Sequence, residues 1–160
     1  MSKVVQFSGQ TLPLYSRDYY AWACEQAHAL RERRFEALDF EHLWQEVEDL
    51  AKSERRELRS RLMRVLAHLL KCQLQSGRRS PSWEGTLASQ RAEMAALFHD
   101  SPSLERELPE IVEQAYSLAL RVAGKEMRLK RDQWQSLFPA QCPWSAEQIL
   151  DEDFYPELQK

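Results

Sequence analysis

The stretch ELRSRLMRVLAHLLKCQLQ, residues 57–75, decides the fold. On a wheel of about 100° per residue, Leu58, Leu62, Val65, Leu69 and Cys72 fall on one side. That is the repeat of an amphipathic helix, not the alternation of a strand. His68 interrupts the ladder. With Leu58 at zero the core direction lies near ~20°, and His68 falls at about 280°, on the shoulder of the stripe. Arg61 lies at about 300° and Glu54 at about 320°. Glu54, Arg61 and His68 therefore recur every seven residues as a polar seam along one edge of the apolar face. Neighbouring members are about 10.5 Å apart along the axis, so each must meet another helix or water. Two readings stay open. The preferred one is a seam that fixes helix register by interhelical hydrogen bonds. The other is a pocket edge, with Lys71 beside it, where His68 serves as acid, base or ligand.

Working outward, residues 14–76 contain neither Gly nor Pro. A sheet protein turns roughly every 8–12 residues, so this span predicts long helices. Trp44, Val47 and Ala51 continue the stripe upstream, Leu43 and Leu50 widen it, and Asp39 is suited to cap it. The pattern predicts a helix over 39–76. This exceeds the usual range of about 8–20 residues, so Lys52-Ser53-Glu54 is a candidate break, with Ser53 capping a second piece. Both forms are kept.

Before it, residues 16–34 read as a helix with Tyr15, Tyr19, Trp22, Ala23, Gln26 and Leu30 on one face and Asp18 in the first turn. After it, Gly77 suits a helix end and Ser80-Pro81 a helix start. The next stripe is Trp83, Leu87, Gln90, Met94, Leu97 and Phe98, ending near His99-Asp100. Ser101-Pro102-Ser103 begins one further turn, and Pro109 forces a kink or fresh start. A last stripe follows in Ile111, Val112, Ala115, Leu118, Ala119 and Val122, ending around Gly124 or shortly beyond. Tyr116, Leu120 and Met127 form a second apolar face on that helix, read as burial on two sides in preference to a partner surface. Ser145-Ala146-Glu147-Gln148 is a capping box opening a short helix through Leu150. The expected fold is all-α: a bundle of four to five helices with a long central helix. Its expected limits are 14–129, with a flexible segment at 1–13 and a tail at 130–160 wrapping the same domain.

Composition narrows the class. The chain has 160 residues, 43% of them hydrophobic, and a net charge of −3. A chain of this size can bury roughly 70% of its unfolded surface without disulfides or metals. Cys24, Cys72 and Cys142 form no CxxC pair, which suits a reducing compartment. The N-terminus lacks a continuous apolar signal region, and no apolar run nears the roughly 18 residues of a membrane span. The expectation is a cytoplasmic protein with no membrane partner.

Catalytic and metal motifs are sparse. A di-iron bundle site wants two Glu-x-x-His pairs, and Glu25 with His28 is the single one, placed away from the core face. His42 and Glu46, four residues apart, also sit off the main stripe. No metal and no cofactor is expected. Cys72 lies on the apolar stripe and reads as a small core residue, not a nucleophile. Neither a Gly-x-Ser-x-Gly elbow nor a Gly-x-x-x-x-Gly-Lys loop is present.

Charge is segregated. Residues 52–79 carry nine Lys/Arg against Glu54 and Glu57, a balance of +7 in a chain of −3. Residues 36–49 carry six acids and no Lys or Arg. The cations flank the apolar stripe on both sides, which suits stems covering the core and pairing with acidic neighbours. A polyanion surface is the less favoured reading, with Arg78, Arg79 and Trp83 as its best local candidates. The spacing of Trp83 to Leu87 also suits the start of the next core stripe.

Several motifs recur in a fixed order: Tyr19-Tyr20-Ala21-Trp22, Arg34-Phe35-x-x-Leu38-Asp39, Glu46-Val47-Glu48-Asp49-Leu50, Ser53-Glu54-Arg55-Arg56-Glu57-Leu58-x-Ser60-Arg61-Leu62, His68-Leu69-Leu70-Lys71 and Cys142-Pro143-Trp144-Ser145. Over about 14–157 the chain resembles a bacterial family known as domain of unknown function 29. The resemblance implies a short, all-helical, mostly bacterial protein and brings no activity, cofactor or catalytic residue. Family members often carry Gly in the stretch matching Ala51-Lys52-Ser53 and an aromatic where Cys72 stands. The first departure bears on a helix break there, and the second supports Cys72 as a core filler.

Three functions are therefore carried forward. The leading one is a non-enzymatic interaction or adaptor module with a protein partner. The second is an enzyme or small-ligand binder using the pocket edged by Glu54, Arg61, His68 and Lys71. The third is polyanion or nucleic-acid binding through the Arg78-Arg79 loop.

Overall fold

The computed structural model describes residues 13–75 and 80–156. Among them every regular element is helical: α1 (Leu14–Arg17), α2 (Tyr19–Arg31), α3 (Phe40–Leu74), α4 (Pro81–Asp100), α5 (Leu108–Glu126), α6 (Arg131–Leu137) and α7 (Ala146–Leu150), with 3₁₀ turns at Phe35–Ala37 and Pro102–Glu107. The all-α fold and the long central helix are as the sequence predicts. The described residues fall into two compact units that divide between Ala51 and Lys52. The division falls inside the segment 14–129 that the sequence reads as one bundle. Helix α3 runs unbroken through Lys52-Ser53-Glu54 and contributes to both units. No Gly or Pro interrupts its hydrogen-bond ladder, so the capping potential of Ser53 goes unused.

In the N-terminal unit the expected helix over 16–34 is two helices. Asp18 leaves helical geometry, and its carboxylate accepts from the Ala21 amide at 3.0 Å, capping α2. Asp39 caps α3 as expected: its carbonyl accepts from the Leu43 amide and its carboxylate from the His42 amide. Trp22, Gln26 and Ala29 are buried, but Tyr19 and Leu30, expected on the same inner face, are exposed. The upstream part of the α3 stripe is corrected more sharply. Trp44 is 57% and Val47 66% exposed, and Ala51 and Leu50 are exposed too. The cause is rotational. Helix α3 turns His42 and Glu46 toward α1 and α2, and these lie about 160° around the wheel from Trp44. Hydrogen bonds from Tyr15 and Tyr19 to Glu46 hold that orientation, so the apolar stripe points away.

The second unit holds nearly all of the core. Leu58, Leu62, Val65 and Leu69 are fully buried, packing with Leu87, Met94, Ile111, Ala115 and Tyr116. Ser80 caps α4 and Pro81 occupies its first turn. The turn after Pro102 is 3₁₀, and Pro109 sits in the first turn of α5, where its missing N–H costs no intrahelical bond. Both apolar faces of α5 are used: Tyr116 is buried and its hydroxyl donates to the Pro139 carbonyl at 2.9 Å. Leu118 departs from the expected stripe and is exposed. The Ser145–Gln148 capping box opens α7 as predicted, and Ile149 enters the core. Helix α6 was not anticipated.

Candidate functional site

Three helices of the second unit converge on a pocket of about 260 Å³. Met63, Ala67, His68 and Lys71 come from α3, Thr86 from α4, and Val122 and Glu126 from α5, with the exposed Arg64 beside them. The spacing of Ala67, His68 and Lys71 within one helical turn places them on adjoining faces of α3. The Lys71 ammonium is nearly buried and donates to Glu126 at 2.6 Å. It also lies 4.9 Å from the centre of the Trp83 ring, within cation–π range. His68 meets the same indole edge to face, with ring centroids 6.0 Å apart.

His68 carries the main electrostatic signal. Burial, then the nearby Lys71 charge, lowers its pKa below the ordinary histidine value, and Glu126 opposes this more weakly. The shift favours the neutral ring. Its Nδ1 is buried with no hydrogen-bond partner, which leaves Nε2 as the accessible nitrogen.

The polar seam does not assemble as one site. His68 and Lys71 meet in the pocket. Arg61 does not line it, but donates to Glu57 at 2.7 Å and lies 3.4 Å from Glu93 on α4, a link between helices. Glu54 is half-buried and also away from the pocket. The seven-residue recurrence is too long to gather all three. Trp83, the aromatic of the less favoured polyanion reading, stands against His68 and Lys71. Arg78 and Arg79 lie outside the described residues. The expected acidic pairing of cations holds for Arg55 with Glu107 and Glu110, for Arg61 and for Lys71. Lys52, Arg55, Arg56 and Arg59 share one shallow groove of about 250 Å³.

A second constellation, in the N-terminal unit, escaped sequence reading. Asp39 accepts from Trp22 Nε1 at 3.1 Å and lies 2.7 Å from His42 Nδ1. His42 stacks on Tyr15 at 3.9 Å, and Tyr15 and Tyr19 both donate to Glu46. Burial works to raise the Asp39 pKa, but the hydrogen bonds from His42 and Trp22 outweigh it and hold the carboxylate below its ordinary range. Both halves of the signal were visible, an aromatic face on 15–22 and the His42/Glu46 pair. Their meeting depends on the turn through 32–38. The cluster fastens α1 and α2 to α3.

Residues 14–155 match the family described as Domain of unknown function DUF29. The chain belongs to this family. No curated protein and no solved structure matches it. The DUF29 description names no reaction or ligand, so chemistry must come from the side chains of this member. Among the described residues of this DUF29 chain, no group of three His, Cys, Asp or Glu is placed to hold a metal ion. Nor is any helix among them long and apolar enough to cross a membrane.

Proposed function

We propose that this DUF29 protein is a non-enzymatic interaction module whose N-terminal unit docks a basic amphipathic helix of another protein. One observation carries the reading. Of the ten large apolar side chains exposed among the described residues, eight lie between Tyr19 and Leu50. By contrast, among the described residues of this unit only Trp22 and Ala29 are buried apolar residues. Four of the eight, Phe40, Trp44, Val47 and Leu50, share the side of α3 turned away from α1 and α2, and monomers seldom leave such an apolar face uncovered.

The surface has a shape and a sign. Phe40, Trp44 and Val47 follow i, i+4, i+7 spacing, so they form one ridge on α3, broadened by Leu50. That spacing suits a helix laid alongside, with aromatic anchors as the energetic centre. Over residues 13–51, nine acids against four arginines leave −5. The acids Glu41 and Glu48 fall beside Trp44 on the wheel. Two copies meeting through this face would oppose acid to acid, whereas lysines or arginines flanking an apolar stripe would complement it.

The test uses the full chain and two synthetic 18-residue helical peptides that share a leucine face, one flanked by lysines and one by glutamates. The lysine peptide binds with micromolar affinity that weakens with salt, and the glutamate peptide does not bind. Double substitution Trp44→Asp with Val47→Asp abolishes binding and leaves the circular dichroism unchanged, since both side chains are exposed. Equal binding of both peptides, or binding that survives the double substitution, contradicts the proposal. Concentration-dependent dimerisation lost in the double variant would assign the face to a second copy instead.

A further inference from the structure

The pocket between α3, α4 and α5 is independent of that surface and has a chemistry of its own. Its floor is apolar, from Met63, Ala67 and Val122. Its polar end is built on the donors Lys71 and His68, with the Glu126 carboxylate as acceptor. Lys71 offers three protons, one of which is directed to Glu126. His68 has one accessible nitrogen, Nε2, because Nδ1 is buried and unpartnered. Placing the single ring proton on Nε2 leaves a lone pair, not an N–H, at the buried position. Nε2–H is then a donor at the pocket. The Thr86 hydroxyl spends its proton on the Ser82 carbonyl. Arg64, exposed beside these residues, adds another positive group.

The acceptor now serving this end is Glu126, and its side chain is 51% exposed. It is therefore a carboxylate open to water, while Lys71, at 9% side-chain exposure, lies over Trp83. A buried cation capped by a half-exposed carboxylate is a seat that another carboxylate can take. Space sets the rest: about 260 Å³ holds about eight or nine non-hydrogen atoms, at about 30 Å³ for each water-sized group.

We propose that this pocket binds a small monocarboxylate with a compact apolar body, whose carboxylate displaces Glu126 from Lys71 and accepts a hydrogen bond from His68 Nε2 while its hydrocarbon rests on Met63, Ala67 and Val122. Exchanging one carboxylate for another keeps the buried ammonium paired throughout. The hydrocarbon contributes the net affinity, and the donors select an anion over an amine or alcohol of the same size.

The experiment is an NMR titration of the full chain with hexanoate and benzoate, with hexylamine and hexanol as size-matched comparators. Either acid shifts the His68 ring and Val122 methyl resonances saturably, with a Kd of about 1 mM or tighter for so small a ligand. The amine and alcohol bind at least roughly tenfold more weakly. Glu126→Gln removes the competing carboxylate and tightens hexanoate severalfold. Lys71→Met weakens it by tenfold or more, and Lys71→Arg retains a measurable part. Should Lys71→Met fail to fold, the Glu126→Gln arm decides, because Glu126 is a half-exposed surface group. Absence of saturable shifts at His68 and Val122 overturns the proposal. So does equal binding of hexylamine, or weaker carboxylate binding in Glu126→Gln.

Discussion

Arg91 is tethered to Ile149: its Nε donates to the Ile149 carbonyl at 3.0 Å, from a side chain only 3% exposed. The remaining guanidinium nitrogens reach the Glu152 and Phe154 carbonyls at 3.1 Å each. One fork of donors on α4 thus collects three backbone acceptors from the C-terminal tail. A planar guanidinium can do this, whereas an ammonium cannot match the geometry.

Arg91→Met keeps the buried stem but orphans these carbonyls, at about 1–3 kcal/mol each where water cannot reach them. The expected loss is about 3 kcal/mol or more, which lowers Tm by more than about 10 °C in a unit of this size. Arg91→Lys recovers less than half. Hydrogen exchange in residues 149–156 should rise first. A variant melting within a degree or two of the parent would show that the tail is held by Ile149 and Trp144 packing alone.

Two glycines give opposite outcomes for the same substitution. A Cβ on Gly124 would lie 2.6 Å from Trp134 Cδ1 and 3.0 Å from Cγ. The indole ring is wedged against α5, so Gly124→Ala should destabilise by about 1–3 kcal/mol. Gly85, in α4, has nothing within 4 Å of that position. Gly85→Ala should stabilise by about 0.5–1 kcal/mol, chiefly through the unfolded chain. Urea midpoints of the two variants, measured beside the parent, decide both.

His68 makes stability depend on pH in a definite direction. Its native pKa is held below the usual 6.5, first by burial and then by Lys71. The unfolded chain therefore takes up the proton more readily. The stability linked to this ring is complete above the unfolded value and is lost as pH falls through the native one. The urea midpoint should drop between pH 7.5 and pH 5.5, and His68→Phe should flatten that drop. An identical pH slope in both proteins would remove His68 as its source.

Tyrosine ionisation reports on the N-terminal cluster. The hydrogen bond to Glu46, aided by burial, pushes the Tyr15 pKa up to about 12, and Tyr19 is raised by the same carboxylate. Glu46→Gln should return Tyr15 most of the way toward 10. Absorbance at alkaline pH, taken with Tyr15→Phe as a reference, shows the midpoint. An unchanged Tyr15 midpoint in Glu46→Gln would mean that the hydroxyl does not donate to Glu46 in solution.

The legible and illegible parts of this chain differ in kind. Leu58, Leu62, Val65 and Leu69 were identified as core from spacing, because a helix with one oily side must bury it. The capping positions Asp39, Ser80 and Ser145 were equally plain, since each side chain satisfies amides only a few residues away. Trp44 and Val47 carried the same periodicity as Leu58 and Leu62, and they stand in water. Periodicity names a face and says nothing of whether another element arrives to cover it. The seam shows the same limit. Glu54, Arg61 and His68 share one edge of one helix, yet Arg61 pairs with Glu57 and Glu93 while Trp83 and Glu126 draw His68 and Lys71 together.

By itself, the order of amino acids determined that the chain is helical, where most helices begin, and that Leu58, Leu62, Val65, Leu69 and Cys72 are core, though not that Leu66, Ala67 and Leu70 join them. These follow from interactions within one or two turns of backbone. Tertiary structure alone decided which way α3 rolls at His42 and Glu46, which helix supplies the carboxylate for Lys71, and which atom of His68 goes unpaired. Those depend on groups brought together from tens of residues apart, where rotation of a whole helix, not local propensity, sets the partner.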